Sequence, residues 1–113
     1  MTDQLPSNIL PFVEVLGKDL AIEFLLSFGG SAVFFSERPK DSEMCQLIGI
    51  DATTALAHRI GLGPYRIPLA KQWIARQLRA EGLSKSKIAR RLRVSDVTVR
   101  NYLHEDPAQL PLL

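Results

Sequence analysis

Cysteine is almost missing from this chain. Cys45 stands alone among 113 residues, so no internal disulfide can form, and a reducing, cytoplasmic setting is expected. Long apolar runs are missing as well. The longest, "AVFF" and "FLL", fall far short of the ~20 residues that a membrane-spanning helix needs, so no membrane partner is expected. The stretch "MTDQLPSNIL" has no basic residues leading into an apolar run, and it does not read as a secretory leader. The glycines of "SFGGS" are not followed by a GK[ST] signature, so they read as a helix stop and not as a phosphate loop. His58 and His104 have no cysteine or carboxylate at ligand spacing, so no metal site and no cofactor is expected. Cys45 has no histidine near it in sequence to activate it. No catalytic constellation is visible, and an enzyme ranks last among the readings.

What is present is ordinary globular material. Hydrophobic residues make up 46% of the chain, too many for a disordered segment. The length suits one small domain, or two very small ones. The net charge of +2 hides a division. Residues 1–63 carry four Lys/Arg (Lys18, Arg38, Lys40, Arg59) and eight Asp/Glu, for −4. Residues 64–113 carry ten Lys/Arg and four Asp/Glu, for +6. An acidic module joined to one that seeks anions is the natural reading.

Two segments of the acidic half resemble each other at an offset of 32 residues: "GKDLAIEFLLSFGGSAVFF" from Gly17 and "GIDATTALAHRIGLGPYRI" from Gly49. Each reads as a helix that stops at glycine and leads into a short strand, because glycine accepts the left-handed conformation cheaply. Ahead of the first copy, Ser7 is the expected cap of a helix over 8–16, with Pro11 tolerated in its first turn. "ERPKDSE" reads as a loop, and Met44–Ile48 as a helical turn before the second copy. The organisation expected is therefore a helix-and-strand module over 1–63, with the repeat at 17–35 and 49–67. A linker strand at 64–69 follows, centred on Tyr65–Ile67, then a helical domain at 70–104 and a tail at 105–113. The fold class is mainly α with short β-strands.

The strongest pattern lies in "SKSKIARRLRVSDVTVRNYLH", residues 84–104. Ser84 and Ser95 each precede a helical rhythm and fit the N-cap position. Ile88, Ala89 and Leu92 form one apolar stripe; Val99, Tyr102 and Leu103 form another. Only about two residues, Arg93 and Val94, join the helices. Residues 71–80 supply a supporting helix through Ala70, Ile74 and Leu78, with Trp73 and Tyr102 read as core. This is the pattern of a three-helix helix-turn-helix domain. Arg93 stands at a corner where glycine is common, because a positive φ is usual there.

The outward face of the last helix carries Val97, Arg100, Asn101 and His104 at i, i+3, i+4 and i+7. A guanidinium can pair with guanine, a carboxamide with adenine, and a valine can meet a thymine methyl. Ser95 and Asp96 complete the candidate base-reading set. Lys85, Lys87, Arg90, Arg91 and Thr98 are the candidate phosphate contacts. Tyr65 and Arg66 are candidate linker contacts to a minor groove, with strand pairing the favoured alternative. Lys71, Arg76 and Arg79 stand undecided between a solvated face and a phosphate grip.

With these residues in view, the chain resembles the Mor/C family of phage-type transcription activators. The resemblance covers roughly residues 8–104. It rests on "LGKDLAIEFLLSFGG", on "LIGIDATTALAHRIG" followed by "PYRIP", and on "LRAEGLSKSKIARRLRVSDVTVRNYL" in that order. It implies a homodimer formed through the N-terminal helix-and-strand module, a C-terminal helix-turn-helix, and double-stranded DNA with a dyad-symmetric promoter element as partner. It further implies activation with RNA polymerase, and a nucleoid-associated place in the cell. The chain departs from the family pattern in the linker, where Leu62 replaces an expected glycine and Pro64 intervenes. The residues themselves also favour a dimer, since strand edges expected at Ala32–Phe35 and Tyr65–Ile67 would seek partners. Two rivals stand beside this reading. One is a repressor or recombination accessory protein; the other is an adaptor whose basic helices dock on an acidic protein without DNA.

Overall fold

The computed structural model describes residues 5–40 and 42–104. Among them the chain is mainly helical, with seven helices and one small antiparallel sheet of two strands. It divides into two compact units between Ala70 and Lys71. The tail expected at 105–113 lies outside the described residues.

The first unit runs α1 (Leu10–Leu16), α2 (Lys18–Phe28), β1 (Ala32–Phe35), α3 (Glu43–Ile48), α4 (Ile50–Ile60) and β2 (Gly63–Arg66). The break between α1 and α2 falls at Gly17 (φ 81°, ψ 163°), and that between α3 and α4 at Gly49 (φ 90°, ψ 160°). Side chains essentially exclude this backbone region, so glycine is required at both corners. Both second helices are 11 residues long and end at a glycine, Gly29 or Gly61. The sequence repeat is therefore larger than its visible part. Each copy also has a short helix ahead of its first glycine, and buried Phe12 of α1 matches buried Met44 of α3.

Two local expectations change. Helix α1 begins at Leu10, not at residue 8, and Ser7 does not cap it. Pro6 instead accepts from the amides of Ile9 and Leu10 at 3.0 and 3.1 Å, forming a turn that buries Ile9. Pro11 sits in the first turn, where a missing N–H breaks no intrahelical bond. In the second copy the cap is real: Ser42 Oγ accepts from Cys45 N–H at 3.1 Å. The second difference is β2, which begins at Gly63 and takes in Pro64. It pairs with β1, so the stretch read as a linker strand is half of the sheet of the first unit.

The register is informative. Val33 lies opposite Tyr65, thirty-two positions further on, and Phe34 and Ala32 lie opposite Pro64 and Arg66. Ile67 N–H adds a bond to Ser31 at 2.9 Å. The inward side holds Val33, buried Phe35 and Tyr65, because side chains alternate along a strand. Beneath it the aromatic rings of Phe12 and Phe24 stack at 5.5 Å, while Tyr65 approaches Phe12 at 6.5 Å and Phe35 at 5.9 Å. Helix α1 packs on both α2 and α4, and α3 on both α4 and α2. Thr53 is buried, and its hydroxyl donates to Gly49 O at 2.8 Å.

The second unit is α5 (Lys71–Ala80), α6 (Lys85–Leu92) and α7 (Asp96–Leu103), each packed on the other two. Its core is Trp73, Ile74, Ala75, Leu78, Ile88, Ala89, Leu92 and Val99. Trp73 is 8% exposed, which makes it a core side chain. Among the described residues no helix is long and apolar enough to cross a membrane.

Candidate nucleic-acid interface

The second unit sorts its side chains by helix. Helix α6 starts at Ser84, whose Oγ accepts from Lys87 N–H at 3.2 Å. It ends at Arg93, which takes the left-handed conformation (φ 63°, ψ 45°), and it is the one described residue other than glycine with a positive φ. Val94 N–H closes the corner onto Ala89 O at 3.0 Å. Helix α7 follows at once: Ser95 Oγ accepts from Thr98 N–H at 3.1 Å and lies 3.0 Å from Thr98 Oγ1. A short corner with an αL residue and an immediate N-cap turns the chain so that α6 and α7 pack on each other, with Ala89 and Val99 both buried.

Side chains left outside this core are strongly cationic. Lys85, Lys87, Arg90, Arg91, Arg93 and Arg100 are all exposed, and Asp96 is the one acid on these two helices. Arg90 Nη1 donates to Ser86 Oγ at 3.3 Å, which leaves most of its five donors available. Asp96 sits in the first turn of α7, where a carboxylate favours the positive end of the helix. On α7 itself Val97, Arg100, Asn101 and His104 are exposed, Val97 at 56%. Val99 is fully buried, and Tyr102 and Leu103 are half-buried. The face therefore carries one apolar contact, one guanidinium, one carboxamide and one imidazole, flanked by fixed cations.

Not every candidate is equally free. Ser95 is exposed, but its hydroxyl oxygen is engaged in capping α7. Thr98 is half-buried, with its hydroxyl against Ser95. Tyr65 and Arg66 belong to the first unit. Tyr65 faces its aromatic core, and Arg66 Nη1 donates to Gly30 O at 2.7 Å.

Two residues gain roles that the sequence left open. Arg76 of α5 donates from Nε to Tyr102 O at 3.4 Å and from Nη2 to His104 O at 3.1 Å. Gln72 Nε2 reaches Tyr102 O at 3.5 Å. A guanidinium on the last carbonyls of α7 answers both their unmet hydrogen bonds and the negative end of the helix. Arg79 donates to Leu83 O, in the turn between α5 and α6, at 3.1 Å. An arginine near the middle of α5, one turn beyond Gln72, was the only sequence signal, and it does not distinguish a cap from a phosphate contact.

A shallow cleft of about 460 Å³ in the first unit is lined by Phe28, Ala32, Phe34, Glu43 and Met44, and Glu43 is the one titratable group among its described lining. Among the described residues no cluster of His, Cys, Asp or Glu is arranged to hold a metal. No family model, curated protein or solved structure matches the chain.

Proposed function

We propose that α5–α7 form a helix-turn-helix that reads double-stranded DNA in a major groove, and that the protein is a transcription regulator. The observation that carries this reading is the exposed set Val97, Arg100, Asn101 and His104 on α7 beside the exposed cations of α6. Phosphate contacts from Lys85, Lys87, Arg90 and Arg91 set register, and groups on α7 meet base edges. Arg76 would hold the far end of that helix in place. An adaptor that merely docks on an acidic protein needs the cations but not the carboxamide and valine between them.

The resemblance to Mor/C proteins supports an activator working with RNA polymerase, and a nucleoid-associated place in the cell. A repressor or a recombination accessory protein would use the same reading face. Two copies on a dyad-symmetric element is the form that the resemblance implies. The strand edges that favoured a dimer from the sequence are paired with each other within one chain.

Salt and sequence competition test the reading. Binding to duplex DNA is expected to weaken steeply as salt rises. Arg100→Ala or Asn101→Ala should cost about 1–3 kcal/mol of discrimination at one base pair. Lys87→Ala should weaken all sequences alike and lower the salt slope by about 1. Discrimination that survives both α7 substitutions unchanged would remove α7 as the reading element.

A further inference from the structure

The strand pairing of the first unit is two-fold about Val33 and Tyr65. Val33 pairs with Tyr65, its own equivalent thirty-two residues later. The flanking pairs, Ala32 with Arg66 and Phe34 with Pro64, exchange under the same offset. Buried Phe35 matches buried Ile67, Phe24 matches Leu56, and Gly17 matches Gly49 in conformation as well as position. The helix contacts are reciprocal: the first helix of each copy packs on the second helix of the other. This is the arrangement of a symmetric dimer of small modules, with both modules on one chain.

Among the described residues, little apolar surface of the sheet remains outside that pairing. The outward side of the sheet carries Ala32, Phe34, Pro64 and Arg66, all exposed. Phe34, 66% exposed, is the one large apolar side chain there. A phenylalanine offers on the order of 150–250 Å², against the roughly 800 Å² per partner of a stable interface. Leu47 of α3, Ile50 of α4, Leu62 just before β2 and Leu69 in the stretch between β2 and the second unit are also exposed. Pro64 supplies no N–H for an added strand on β2.

We infer that the chain acts as a single copy, its first unit being a two-module assembly closed within itself, and that it therefore presents one reading head to a single, non-palindromic DNA site. The monomer stands on the geometry of the first unit; the DNA site rests on the proposed helix-turn-helix reading.

Two measurements on the full wild-type chain test it separately. Sedimentation at micromolar concentration should give one species near 12.6 kDa; a species of twice that mass overturns the inference. Selection from a random duplex pool should enrich one asymmetric block, with one chain per duplex in the bound complex. A palindrome holding two chains overturns the inference and leaves the DNA reading intact. A pool with no enriched sequence overturns the DNA reading and the site with it, and sedimentation then decides the monomer alone.

Discussion

The two units of this chain solve the problem of small size in different ways. The first has all five phenylalanines and closes two copies of one module on each other. Its helix breaks are made by glycines, and only α3 begins with a side-chain cap. The second is three short helices around Trp73 and aliphatic residues, with serine caps on α6 and α7 and an arginine on the end of α7. The difference teaches where surface is kept available. Packing buries Phe12, Phe24, Phe35 and Leu56 in the first unit, while capping lets helices of eight residues in the second stand with a polar face outward. Helices this short are marginal alone, so their ends need partners as much as their middles need a core.

The largest effect expected lies in the paired core. Leu56→Ala removes a fully buried side chain of α4 and should cost about 2–5 kcal/mol in a denaturant melt followed by far-UV circular dichroism. A loss below about 1 kcal/mol would mean that α4 is not closely packed in its unit. Next come the corners. Gly17→Ala and Gly49→Ala each force a side chain into a region it avoids, and each should cost about 1–3 kcal/mol. The two losses should be similar, and a large inequality would break the internal symmetry.

Effects in the second unit are smaller. Ser95→Ala removes the cap of α7 and should cost about 1 kcal/mol, read by fluorescence of Trp73, the one tryptophan of the chain. Arg93→Gly should act in the opposite direction. It relieves a left-handed residue, gives back part of that gain through a more flexible unfolded chain, and should stabilise by under about 1 kcal/mol. It also removes an exposed cation, so a salt titration of DNA binding would show whether Arg93 touches phosphate.

Helices were legible wherever a cap or an apolar period marked them. Ser84, Ser95, the stripe through Ile88 and Leu92, and the glycine stops are local signals, set by hydrogen bonding and side-chain spacing within a few residues. The start of α1 was less legible, because Pro6 and Ser7 offer competing ways to satisfy the first amides. Arg76 was illegible for another reason: its partners are carbonyls twenty-six and twenty-eight residues away.

By itself the sequence determined the periodicity, the caps, the thirty-two-residue repeat and the uneven charge, since each depends on neighbours along the chain. Only the tertiary structure decided that the repeat closes on itself, that β2 is a sheet strand and not a free linker, and which cations are engaged in capping. Those outcomes depend on which distant surfaces exclude water together, and a linear order of residues does not specify whether a strand edge meets its own copy or another chain.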